Sequence, residues 1–166
     1  MPDSDPAISC TYFSTARISD ARGDLLVRHI DLLRDATRAC RNRLPFRITA
    51  AVILPQVAHM IWVLPPGDHG VTERWRQIKA TFTRHAASGP GPVWQRGVWV
   101  HAIRDEGDLL RHLHIINAAP VQAGLVRRAG DWPYGTRTTG RVPSAPSPVA
   151  VPMSMPSFPT AASRNC

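Results

Sequence analysis

His59 is the residue whose type and place most suggest chemistry. It stands in an apolar, strand-like run, and the position two residues earlier is Val57. Side chains at i and i+2 of a strand share one face. Two histidines at that spacing would present two neutral imidazoles to one divalent cation. Here the second imidazole is missing, and a single strand histidine is more often a packed or surface residue than a ligand. A cation held between His59 and His112 would be one rewiring, although a structural or solvent-facing His112 is the simpler expectation. For an attacking oxygen the chain offers two phenols, Tyr12 and Tyr134. Tyr12 falls in the first strand and Tyr134 in a Trp-Pro-Tyr turn, where packing is the stronger expectation for both.

A second set of residues suits binding. Arg74, Arg76, Lys79, Arg84, Arg96, Arg104, Arg127 and Arg128 are candidate phosphate contacts, against the alternative of an ordinary solvated surface. Trp94 and Trp99 lie beside a Gly-Pro loop and are expected to be exposed, where they could stack on unpaired bases. Trp75 fits the buried stripe of its helix, and Trp62 falls on the strand face opposite His59.

The elements that must position these groups follow from periodicity. Ser9 to Ile18 reads as a first strand. A helix follows over about 24–41, with Leu26, Ile30, Leu33, Ala36 and Cys40 on one face and Asp24 as its cap. Phe46, Ile48, Ala50, Val52 and Leu54 alternate as a half-buried strand, closed by Pro55. A third strand spans about 59–64. A second helix runs over about 72–85 with Trp75, Ile78 and Phe82 inward, and a fourth strand covers about 98–104. Asp105, Glu106 and Asp108 open a third helix, as its positive N-terminal end prefers. It should end near Ala119, before Pro120. This order predicts an α+β domain, an antiparallel sheet of the ferredoxin-like or RRM-like kind with helices packed on it.

The 166-residue length suits one such domain, over 9–136, with a flexible N-terminus at 1–8. From 137 to 166 the chain is rich in proline and serine, and after Arg141 its only charge is Arg164, so a disordered tail is expected. The net charge is +8, and Lys79 is the only lysine. An excess of guanidinium groups, each able to grip a phosphate with two hydrogen bonds, suits a polyanionic partner. A GC-rich coding sequence could also inflate arginine without functional meaning. Cys10, Cys40 and Cys166 have no paired ligand spacing, which argues against a zinc site or a disulfide framework. No apolar run approaches the roughly 20 residues that span a bilayer, so a cytoplasmic protein with no membrane partner is expected.

Several blocks are long enough to be specific: Trp75-Arg76-x-Ile78-Lys79, Trp94-Gln95-Arg96, His101-x-x-Arg104-Asp105-Glu106, and Gly124-Leu125-Val126 ahead of Trp132-Pro133. In order and spacing, over roughly 9–136, they resemble the REP-associated tyrosine transposases, single-strand transposases with a histidine-hydrophobe-histidine metal motif. The resemblance implies a sheet bearing paired histidines and a helix bearing a tyrosine nucleophile. It also implies an amide one turn later and a magnesium or manganese ion that polarises the phosphoryl oxygen while a phosphotyrosyl bond forms.

Carried onto this chain, the metal motif falls on Leu54-Pro55-Gln56-Val57-Ala58-His59, and the nucleophile motif on Ile115-Ile116-Asn117-Ala118-Ala119-Pro120-Val121. His59 is thus the remnant ligand. Val57 and Ala119 occupy the partner positions, and Ile115 stands where the attacking tyrosine belongs. Asn117 lies about 200° around the helix from Ile115 and does not replace the lost amide. No intact catalytic set remains, and no metal cofactor is expected to be retained. The expectation is a transposase-family protein that binds single-stranded or hairpin DNA, such as palindromic repeats, through Arg74, Arg76, Lys79, Arg96, Arg104, Trp94 and Trp99. The alternative is an active metal-dependent transposase or endonuclease with relocated residues. A folded protein that binds no DNA is a third reading.

Overall fold

The computed structural model describes residues 10–19, 23–86 and 89–136; the expected flexible N-terminus and proline-rich tail lie outside the described residues. Four strands form one sheet: β1 (Thr11–Arg17), β2 (Arg47–Ile53), β3 (Val57–Val63) and β4 (Trp99–Ala102). Their order is β2-β3-β1-β4, with every neighbouring pair antiparallel. The helices are α1 (Leu25–Arg28), α2 (Ile30–Arg43), α3 (Val71–Ala86) and α4 (Glu106–Gln122). This is the expected α+β, ferredoxin-like arrangement.

The sheet carries an apolar cluster on each face. On one side Tyr12, Ala16, Ala58, Met60 and Trp62 meet Leu33 and Cys40 of α2 and Trp75, Ile78 and Phe82 of α3. On the other side Phe13, Val57 and Ile61 meet Ile116 and Ala119 of α4. The alternation of β1 and β3 between these clusters is the period-two pattern of strands expressed as packing.

Four local features depart from expectation. The first helix is broken at His29 into α1 and α2, and Asp24 makes no side-chain cap bond; its carboxylate pairs with Arg28 instead. Phe46, Ile48, Ala50, Val52 and Leu54 do not all face one way. The register of β2 against β3 slips between Ile48 and Ala50, so Phe46 and Ile48 join the α2/α3 side while Ala50, Val52 and Leu54 join the α4 side. A bulge inserts one residue and reverses every facing after it. The fourth strand is also shorter than expected: it ends at Ala102, although the Ile103 N–H still donates to the Thr11 carbonyl of β1.

Finally, α4 runs through Pro120 to Gln122. The stop is Gly124, at φ +71°, with Gly124 N–H donating to the Val121 carbonyl and Leu125 N–H to that of Pro120. That paired closure needs a left-handed residue, which glycine supplies without strain. No helix among the described residues is long and apolar enough to cross a membrane.

Candidate functional site

The face beneath α4 carries His59, Val57, Ala119 and His112. His59 projects from β3 beside Phe13 and Thr15 of β1. Its Nδ1 shares a 2.8 Å hydrogen bond with the Thr15 hydroxyl, and its ring stacks on Phe13 at 5.7 Å. Burial, then the nearby Arg17 guanidinium, pushes the imidazole down to about 4 from the usual value near 6.5. It is therefore neutral at pH 7. Val57 and Ala119 are both buried in the same apolar cluster on this face. Ile115 sits at the margin of the buried side of α4, 42% exposed, a large apolar side chain open to solvent.

This donor set does not fit a divalent cation. One imidazole remains, with one nitrogen already engaged, and hydrocarbon fills both partner positions. His112 falls instead in a group with His101 and Asp108 that does not include His59; its Nδ1 lies 2.8 Å from the Asp108 carbonyl, and its ring packs on Phe13 at 4.7 Å. A carbonyl only accepts, so Nδ1 carries the proton. Neither phenol replaces the missing oxygen. Tyr12 faces the α2/α3 side, with its hydroxyl 2.8 Å from His69 Nδ1. Tyr134 packs edge-on against Trp132 and against the same α2/α3 cluster.

Several expected binding residues prove structural. Arg74 is 1% exposed. Its guanidinium bridges both Asp68 carboxylate oxygens and the carbonyls of Gly70 and Pro45, which removes it from any surface. Hydrogen bonds from Arg74 hold the Asp68 carboxyl below its usual range. Lys79 turns inward. Its ammonium donates to the Gly97 carbonyl at 2.6 Å and lies 5.4 Å from the Trp94 ring centre, and burial pushes it down to about 8. Trp94 is packed rather than exposed: it meets Phe82 edge-on and donates from Nε1 to the Thr83 hydroxyl. The Gly-Pro segment beside it left sequence reasoning no sign that a helix lay against the ring.

Arg76, Arg96 and Arg104 do reach solvent. Arg76 forms a two-pronged pair with Glu73. Trp99 is half-buried on the α4 side of the sheet, edge-on to Phe13 and stacked flat on His101.

The sequence placed Asp108 only among the acids that open the third helix; the structure gives its side chain more to do. This carboxylate is 1% exposed and takes His101 Nε2 at 2.8 Å, the Arg104 backbone N–H at 3.0 Å, Arg104 Nε at 3.3 Å and Arg111 Nη2 at 3.1 Å. Burial alone would raise its carboxyl; these donors hold it far below the ordinary range. His101, Asp108 and His112 each place one potential ligand atom within 4.8 Å of the others. A metal is nonetheless a poor fit. The two imidazoles stack at 4.7 Å and 21°, so their in-plane lone pairs run side by side instead of converging, and two guanidiniums already occupy the carboxylate. The i, i+3 and i+4 spacings of Asp108 to Arg111 and His112 were visible in sequence. The strand partner His101 was not.

No family model matches the chain. It is 40% identical over 126 residues to the REP-associated tyrosine transposase of Escherichia coli strain K12, covering 76% of this chain and 75% of that protein. A Haemophilus influenzae relative bearing the same family name is 33% identical over 140 residues, covering 75% and 78%. A solved structure of a REP-associated tyrosine transposase bound to a REP hairpin superposes with a TM-score of 0.72 at 38% identity, covering 76% of each chain.

Proposed function

Because the chain belongs to the REP-associated tyrosine transposase family, we propose that it is a transposition-related protein that holds single-stranded or hairpin DNA without cutting it. The observation that carries this reading is Ile115. Its exposed hydrocarbon side chain stands at the nucleophile position, and neither tyrosine lies on that face of the sheet. Transesterification by the family route needs an oxygen that can attack phosphorus, and isoleucine has none. The same reading dispenses with magnesium or manganese, since Val57 and Ala119 offer no lone pair. DNA as partner is supported by the hairpin held by the solved relative and by the arginine excess of this chain.

The test is a labelled hairpin oligonucleotide incubated with the purified chain and manganese, then run on a denaturing gel beside a native one. A salt-sensitive complex with no covalent adduct is expected. A metal-dependent adduct or nicked strand would overturn the reading. Installing Val57→His, Ala119→Asn and Ile115→Tyr together should generate the adduct that the native chain lacks.

A further inference from the structure

We infer that Arg104 and Arg111, with His101 beside them, form a phosphate-binding cluster preset by the buried Asp108 carboxylate, and that this cluster grips the DNA backbone next to position 115. The inference rests on the DNA-binding reading above and names the atoms that do the binding.

The geometry is unusual for a plain helix cap. Asp105 already caps α4, with its Oδ1 accepting from the Asp108 N–H at 2.8 Å. The Asp108 side chain goes further and draws in groups from outside the helix: the strand residue His101 and the turn residue Arg104. Both guanidiniums remain open to solvent, Arg104 at 68% and Arg111 at 62%. Each carries five N–H donors and gives one to Asp108, so most of the two forks still face outward. Two guanidiniums face the Asp108 carboxylate; the neighbouring Asp105 carboxylate balances them formally, but it is turned to the α4 N-terminus, where it accepts the Asp108 N–H, and the ion pairs of both arginines run to Asp108. Glu106 is sent off about 160° away from Asp108 by helix geometry.

Fixing both forks on one buried anchor removes side-chain freedom in advance, which is what favours a bidentate grip on phosphate. Arg111 stands one turn before Ile115, on the same side of α4, so a phosphodiester held there lies beside the position where the family carries its nucleophile. Trp99, stacked flat on His101 at 5.7 Å, extends the cluster with a surface suited to an unpaired base.

The experiment measures the affinity of the full-length chain for a hairpin oligonucleotide by fluorescence anisotropy over a range of salt. Three variants are compared: Arg104→Gln/Arg111→Gln, Arg34→Gln/Arg38→Gln on the exposed side of α2, and Asp108→Asn. The first should weaken binding about tenfold and lower the log–log salt slope by about 2, one per lost phosphate contact. The α2 pair removes the same charge and should change affinity less than about threefold if only general attraction is lost. Asp108→Asn removes a negative charge, so simple electrostatics predicts tighter binding; a preset cluster predicts weaker binding.

Equal losses in both arginine pairs, an unchanged affinity in Arg104→Gln/Arg111→Gln, or tighter binding by a folded Asp108→Asn would overturn the inference while leaving DNA binding intact. A wild-type chain with no salt-sensitive complex would remove both.

Discussion

On the α2/α3 side of the sheet, the central polar group is turned inward and shared between two indoles. Ser14 is fully buried, and its hydroxyl oxygen accepts both the Trp62 and Trp75 indole N–H groups, at 2.7 and 2.8 Å. On the α4 side, polar and ionisable groups line a half-open surface: His59 with Thr15, and Asp108 with its ring of donors. One face is finished as a core. The other keeps groups whose hydrogen bonds and charges can still respond to a ligand. The two faces thus differ in how much of their polar chemistry lies near solvent.

The comparison can be tested by perturbing each face. Trp75→Ala should lower stability by ~3–5 kcal/mol in chemical denaturation, the usual loss for a large aromatic deleted from a core. Ile115→Ala on the open side should cost under ~1 kcal/mol, because little burial is lost; comparable losses would erase the distinction.

Acid should strike the open face next. His59 is held at about 4 when folded, below the usual imidazole value of 6.5. The unfolded chain therefore takes up its proton first as the pH falls. Stability is full above pH 6.5 and declines between about 6.5 and 4, by at most ~3 kcal/mol from this residue. His59→Gln should flatten that limb of a stability–pH curve, and an unchanged curve would show that the neutral imidazole is not what the fold relies on.

Smaller still, Lys79→Met should cost about 1–2 kcal/mol by releasing the Gly97 carbonyl. It should speed amide exchange over 95–97 rather than globally, and uniform exchange would contradict a local clamp. Last, Arg76→Gln should leave the thermal midpoint where it is, since an exposed ion pair with Glu73 contributes little to folding. A clear drop would mean the pair is structural.

Period-two and 3.6-residue patterns told in advance that Trp62 and His59 take opposite faces of β3 and that Trp75, Ile78 and Phe82 point inward, because such facings depend on one element alone. The β2 bulge escaped, since a register slip is settled by the neighbouring strand. Arg74 escaped for a similar reason: its partners are an aspartate six residues earlier and the carbonyl of Pro45, which lies 29 residues away just past the end of α2. Pro120 looked like a stop because proline lacks an N–H, yet the last turn of α4 closes on Gly124. At the site, it was the family resemblance, not periodicity, that pointed to Val57, Ile115 and Ala119. The cluster around Asp108 depends on β4 meeting α4, which no local pattern encodes.

The segment after Pro133 runs along the outer rim of β2. Ile53 N–H donates to the Tyr134 carbonyl, Thr136 N–H to that of Ala51, and Ala51 N–H to the Thr136 hydroxyl. An unpaired strand margin is an invitation for a neighbouring molecule to add a strand of its own. These three bonds act as a selvedge, so a chain trimmed ahead of Tyr134 would carry an open seam, and self-association through β2 would be the price of the shorter protein.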